Sequence, residues 1–230
     1  MAGVSRLQYT NEIRLIRVMC SGRVDLEFIL RAFSNGQDGV FIGGCRLNEC
    51  NYITHGNYDA LSASLLCKKL LEHIGVNPER LAIEFMSGGD GILLTRLIDD
   101  FTQKTKGLGP IGQASGMDKN ELKFKLDLIR KLVPYIKLVE RERFRIPSRS
   151  KEAYHDFFKS DDFARLFDEL IASKLELSQI MAFLREKPLS TGEISELSGI
   201  DPTDVSRHMS RSSRQGFVRY DTALKRYALA

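Results

Sequence analysis

Three of the four cysteines of this 230-residue chain fall in two short segments, Cys20-Ser21-Gly22-Arg23 and Gly43-Gly44-Cys45-Arg46-Leu47-Asn48-Glu49-Cys50. Thiolates that gather in a reducing compartment usually hold a metal or do redox work, because structural disulfides do not persist there. Each segment follows an apolar run that reads as a buried strand, Ile13 to Met19 and Val40 to Ile42. Ligands of an open parallel α/β sheet collect beyond the carboxyl ends of its strands. Cys20, Cys45 and Cys50 are therefore expected to converge on one spot. The Cys-x4-Cys spacing occurs in plant-type iron–sulfur sites, and zinc takes the same thiolates. His55 is close in sequence, though no histidine in this half falls at zinc spacing. The competing reading is three unrelated core cysteines, which placement at strand ends disfavours.

Neighbouring residues suit an anionic centre. Gly43 and Gly44 allow close backbone approach and leave N–H groups to face an anion. Arg23 and Arg46 flank the thiols, and helices starting near Asp25 and Asn57 would point their N-termini the same way. Cations and helix N-termini hold a negative cluster and raise its potential. The alternative for each arginine is an ordinary surface ion pair. Cys67 shares a helical phase with Ala63 and Leu70 and reads as a small core residue.

The elements that would position these groups alternate in the first half. A strand at Ile13–Met19 precedes a helix capped by Asp25, with Leu26, Ile29, Leu30 and Phe33 on one face. A strand at Val40–Ile42 leads to a helix from Asn57 to His73. A strand at Leu81–Met86 leads to a helix from Ile92 to about Lys104. This order predicts an α/β fold with an open, parallel, flavodoxin- or Rossmann-like sheet over residues 1–109. Residues 110–118 read as a linker rich in glycine. Residues 119–172 are a helical segment with helices at Lys119–Val139 and Lys151–Ala172, and Pro134 is expected to kink or shorten the first.

Residues 173–230 read as a winged helix-turn-helix: helices at Leu177–Arg185, Thr191–Ser198 and Pro202–Arg214, a turn at Gly199, and a hairpin at Phe217–Tyr220 and Arg226–Leu229. Ser206, Arg207, Ser210, Arg211 and Arg214 lie on its recognition helix, with Arg219, Lys225 and Arg226 in the wing, types that suit contact with nucleic acid or a partner protein. The net charge is +4, and residues 1–115 balance at 12 basic and 12 acidic. Residues 151–200 carry 6 basic against 10 acidic, which weakens attraction to phosphate. No Ser-His-Asp arrangement, Walker loop or complete Gly-x-Gly-x-x-Gly fingerprint is present, nor a run long enough to span a membrane, nor a signal segment. The chain reads as cytoplasmic.

With these residues in view, the first half resembles a known family. Cys20-Ser21-Gly22-Arg23-Val24-Asp25, Gly44-Cys45 through Cys50-Asn51-Tyr52, and Gly56-Asn57-Tyr58 are similar to the delta subunit of methyl-viologen-reducing (F420-non-reducing) hydrogenases, over about residues 3–108. The resemblance implies a [2Fe-2S] cluster and a non-catalytic electron-transfer role. It implies electrons passing between a hydrogenase, formate dehydrogenase or NADH-oxidising module and a heterodisulfide-reductase-A-like flavoprotein, the electron-bifurcating or confurcating partner. Cys20, Cys45 and Cys50 match family positions, and Cys67 matches none, so the fourth ligand is absent from this chain. Family members carry a strand and a Cys-x-x-Cys motif before the segment that matches Ala2 to Tyr9. The expectation is that Met1 is an internal methionine and the start lies upstream. A redox-sensing, DNA-binding regulator is the alternative reading.

Overall fold

The computed structural model describes residues 7–52, 55–113 and 116–230. The resembling segment Ala2–Tyr9 is therefore covered only from Leu7, and Ile53, Thr54, Ala114 and Ser115 of the expected loop and linker lie outside the described residues. The chain is α/β and mostly helical, and divides into two compact units at Ala164 and Arg165.

In the first unit, α1 (Leu26–Ser34) starts at Asp25, whose carboxylate accepts from Glu27 N at 3.0 Å. Leu26, Ile29, Leu30 and Phe33 are buried along one face, and that face packs on α2 (Asn57–His73) and α4 (Lys119–Arg143). Between α1 and α2 lies β1 (Val40–Gly44), which pairs in parallel with β2 (Leu81–Phe85), Gly44 opposite Phe85. After β2 comes α3 (Gly91–Gly107). Arg80, 2% exposed, precedes β2. Its guanidinium donates to the carbonyls of Asp38, Leu108, Gly109 and Pro110, tying the start of β1 to the end of α3.

The expected strand Ile13–Met19 is a correction. These residues join no sheet, and Leu15, Ile16 and Met19 are 72%, 83% and 89% exposed. Apolar, β-branched composition marks a segment that could fit a sheet, but a strand exists only where a neighbour takes its N–H and C=O groups. Among the described residues the parallel sheet therefore has two strands, not the open sheet expected.

Two helical expectations also change. α4 runs through Pro134 to Arg143. Pro134 lies on the exposed face, while Val133, Ile136 and Val139 stay buried on the other. The helix expected over Lys151–Ala172 is interrupted. α5 (Lys151–Lys159) ends at Ser160, whose hydroxyl accepts from Phe163 N and starts α6 (Asp161–Leu166). A π-helical turn, Phe167–Ala172, then runs into α7 (Ser173–Glu186).

The second unit continues with α8 (Thr191–Ser198), α9 (Pro202–Arg214) and the antiparallel pair β3 (Val218–Asp221) and β4 (Arg226–Leu229). Ser190 and Glu193 form a reciprocal capping box on α8, and Gly199 closes it at φ 72°. Ile180, Leu184, Ile194, Val205, Met209 and Val218 make its core. Among the described residues no helix is long and apolar enough to cross a membrane.

Candidate cysteine site

The site is assembled on the N-terminus of α2. Gly22, in the short 3-10 turn Ser21–Arg23 that follows Cys20, packs so tightly on Gly56 that a Cβ at 22 would stand 2.6 Å from the Gly56 carbonyl oxygen. A Cβ at Gly56 would stand 2.5 Å from Cys50 Sγ and 2.5 Å from the Tyr52 carbonyl oxygen. Both glycines are thus required by close approach, and their contacts bring the Cys20 turn and the Cys50 thiol to one helix end.

Cys45 is held by the first residue of that helix. Asn57, 2% exposed, donates from Nδ2 to the carbonyls of Cys45 (3.0 Å) and Arg46 (2.7 Å), and lies 3.6 Å from Cys45 Sγ. The segment then turns: Glu49 N donates to the Arg46 carbonyl at 3.0 Å, and Asn48 adopts φ 71°. The Tyr58 hydroxyl donates to Asn48 Oδ1 at 2.9 Å and fixes this turn.

The three thiols influence one another. Burial pushes the Cys45 thiol up, and the neighbouring sulfurs of Cys50 and Cys20 push it further. For Cys50, burial also works upward, but the N–H groups of Tyr52 and Asn57, with the Cys45 and Cys20 thiols, outweigh it and bring the pKa down. Cys50 is thus the more acidic of these two thiols and Cys45 the less acidic. N–H groups at a helix start favour a thiolate for the same reason they favour any anion. Cys67 is fully buried in α2 and its thiol is pushed up to about 12 by desolvation alone. It stands apart as the core residue expected.

The flanking residues divide. Arg46 pairs with Asp90 at 2.7 Å, and the same carboxylate oxygen accepts from Ser87 N at 2.8 Å. This links the residue after Cys45 to the turn after β2, where the backbone N–H of Ser87 and the guanidinium lower the Asp90 pKa. Arg23 is exposed and forms no ion pair among the described residues. A Cβ at Gly44 would meet Ser21 Oγ at 2.9 Å and the Phe85 ring at 3.1 Å, whereas Gly43 has only ordinary contacts from 3.8 Å. His55 points to Asp59 at 3.1 Å and is exposed. In the second unit, Ser206, Arg207, Ser210, Arg211 and Arg214 share the exposed face of α9, opposite buried Val205, His208, Met209 and Ser212. Arg207 is engaged by Asp204 at 2.5 Å, and Arg226 by Glu193 at 2.6 Å.

Spacing and residue type did not single out Asn57 or Tyr58 as parts of the site. A buried asparagine opening a long helix is the signal that could have marked Asn57 as a clamp, since a buried amide needs partners.

The donor set is soft and suits iron–sulfur or zinc chemistry alike. Among the described residues no three His, Cys, Asp or Glu side chains come close enough to share one metal ion. Cys20, Cys45 and Cys50 supply three of the four thiolates that a [2Fe-2S] group takes. An otherwise unpartnered hydroxyl, Ser21 Oγ, lies buried between the Cys20 turn and the residue before Cys45.

Residues 1–109 match the family model described as methyl-viologen-reducing hydrogenase, delta subunit. The chain is 44% identical over 110 residues to the F420-non-reducing hydrogenase iron-sulfur D-subunit of Archaeoglobus profundus, covering 48% of this chain and 80% of that protein. It is 43% identical over 109 residues to the vhc iron-sulfur D-subunit of the F420-non-reducing hydrogenase of Methanococcus voltae, covering 47% of this chain and 75% of that one. It is also 41% identical over 112 residues to the ferredoxin:CoB-CoM heterodisulfide reductase A-subunit of Methanosarcina mazei, covering 49% of this chain but only 14% of that longer protein. The cysteine-bearing unit thus occurs both as a small separate protein and inside a large reductase component, and the chain belongs to the family of methyl-viologen-reducing hydrogenase delta subunits.

Proposed function

We propose that this chain is an electron-transfer subunit whose Cys20, Cys45 and Cys50 hold a [2Fe-2S] cluster. What supports the reading is that the Cys20 turn, the Cys45 backbone and the Cys50 thiol all pack on the N-terminus of α2, in the segment shared with hydrogenase components named as iron-sulfur subunits. When bound, such a cluster accepts and releases a single electron. The chain's own residues do the rest. Helix-start N–H groups lower the Cys50 pKa, Asn57 fixes the Cys45 backbone, and Tyr58 fixes the turn between the two.

The partner is a heterodisulfide-reductase-A-like flavoprotein. What supports this is the occurrence of the same segment within a reductase A-subunit in one organism and as a free protein in another: parts fused in one setting work in contact in the next. The electron source is a hydrogenase, formate dehydrogenase or NADH-oxidising module, and the complex is cytoplasmic. α7, α8 and α9 with β3 and β4 follow the order of a winged helix, which we assign to docking within that complex. The regulator reading has no support among the relatives named, which are hydrogenase and reductase components.

Anaerobic purification followed by iron, sulfide and zinc analysis and EPR tests the cluster. About two irons and two sulfides per chain, with a signal on reduction, are expected for a form extended upstream so that it supplies a fourth thiolate, and a poor or absent cluster for these 230 residues alone. Stoichiometric zinc, or no iron in the extended form after reconstitution, overturns the reading.

A further inference from the structure

Ile13–Met19 is the apolar run that the fold leaves unused. It joins no helix or sheet, and none of its backbone N–H or C=O groups is hydrogen-bonded among the described residues. Leu15, Ile16, Val18 and Met19 are 72%, 83%, 40% and 89% exposed. The run contains no proline, no glycine and no residue at positive φ, so nothing in it resists an extended ladder. It is also anchored at both ends. Before it, Thr10 N donates to Asp99 Oδ1 at 3.0 Å and Glu12 pairs with Lys106 at 2.6 Å, both on α3. After it, the Cys20 turn packs on Gly56 through Gly22. A tethered segment loses less chain entropy on pairing than a free tail does. Apolar, β-branched runs with open hydrogen-bonding groups are templates for another strand, and exposed apolar patches mark interaction sites.

The order of residues says which strand fits. In a two-fold antiparallel pair one residue stands opposite its own copy, because residues directly across share a face of the ladder. Centring the pair on Ile16 matches all seven residues of the run: Ile13 faces Met19, Arg14 faces Val18 and Leu15 faces Arg17. Each arginine then lies across from an apolar side chain, which its stem covers while its charge reaches water. Centring on Arg14 or Arg17, or pairing two copies in parallel register, sets arginine against arginine, and like charges directly opposite are destabilising. Every other apolar centre pairs fewer residues. We propose that a second copy of this chain covers Ile13–Met19, the two runs forming an antiparallel ladder about a two-fold axis with Ile16 opposite Ile16. This goes beyond the electron-transfer reading and does not depend on it, since no cysteine takes part.

Sedimentation velocity of the 230-residue chain over a rising concentration series tests the pairing, in anaerobic buffer with a thiol reductant so that cysteines do not cross-link copies. Ile16→Lys and Ile16→Glu are run singly and mixed, beside Phe28→Lys, which changes an exposed apolar side chain on α1. Ile16 is exposed, so neither change disturbs the folded monomer. The expected result is a concentration-dependent dimer for the parent and for Phe28→Lys, and a monomer for each Ile16 variant alone. The mixture of the two Ile16 variants should dimerise again, because lysine then faces glutamate. Hydrogen exchange of the Ile13–Met19 amides should be fast in dilute parent and slowed in concentrated parent. A parent that stays monomeric overturns the proposal, as does an Ile16→Lys chain that dimerises like the parent. Equal loss of the dimer in Phe28→Lys overturns it, and so does a mixture that stays monomeric. Amides already protected in the monomer overturn it too, since another part of the chain then covers the run.

Discussion

The ring of Tyr154 stacks on that of Tyr58 with centroids 5.3 Å apart and planes 33° from parallel. Tyr58 passes its hydroxyl to Asn48, in the turn between Cys45 and Cys50. Leu47 from that turn and Ile146 from beyond α4 pack on the same small core. Tyr154 and Ile146 lie outside the segment that matches the delta-subunit family. The cysteine turn of this chain is therefore buttressed by residues its small relatives do not share in that alignment.

Removing the buttress should loosen the site. Tyr154→Ala is expected to cost about 3 kcal/mol in urea unfolding of the first unit, as for large-to-small changes at buried aromatics. Tyr58→Phe keeps the stack and loses only the bond to Asn48, about 1 kcal/mol. Both variants should lose iron faster than the parent on chelator challenge, Tyr154→Ala more so.

Two glycines give opposite expectations. Gly56→Ala drives a methyl group into Cys50 Sγ and the Tyr52 carbonyl, so iron content after reconstitution should fall severalfold. Gly43→Ala meets nothing closer than 3.8 Å and should bind iron as the parent does. Equal loss in both would mean that close packing on α2 does not build the site.

In the metal-free chain the thiols should react in a set order. Alkylation followed by peptide mapping should find Cys50 modified first near neutral pH, because its pKa lies below the ordinary thiol value of 9.0. Cys45, raised by burial and its sulfur neighbours, should lag. Cys67, fully buried and pushed up to about 12, should react only on unfolding.

Glu140 should make stability fall with rising pH. Its carboxylate accepts from Ser62 Oγ at 2.6 Å, but burial raises its pKa, Asp59 and Asp25 raise it further, and Lys137 only partly offsets them. A raised acid binds its proton more tightly folded than unfolded. Its contribution is full below the ordinary value of 4.5 and is lost as pH climbs through the folded value. Asp25 works in the opposite sense. Burial pushes it up, but the Lys137 ammonium and Glu27 N–H prevail, so its contribution is lost as pH falls below about its ordinary 3.8. Glu140→Gln should flatten the loss above 4.5 in pH-dependent thermal melts and leave the acid limb unchanged.

What could be read from sequence here is what nearest neighbours along the chain decide. Asp25, Ser190 with Glu193, and Asp201 with Pro202 set helix starts through bonds to N–H groups two or three residues on, and α9 runs from Pro202 to Arg214 as expected. The cysteine spacing pointed to a shared site for the same reason, since a short loop keeps Cys45 and Cys50 together. Ile13–Met19 failed because a strand is a property of a pair, and the run has no partner among the described residues. Pro134 does not shorten α4, because burial of Val133 and Ile136 on either side outweighs one lost hydrogen bond. Only tertiary packing could bring the Cys20 turn onto Gly56, turn Arg46 aside to Asp90, aim the Asn57 amide at Cys45 and set Tyr154 against Tyr58. Each of these joins residues distant in sequence or fixes a side-chain direction, and neither is written in composition or periodicity.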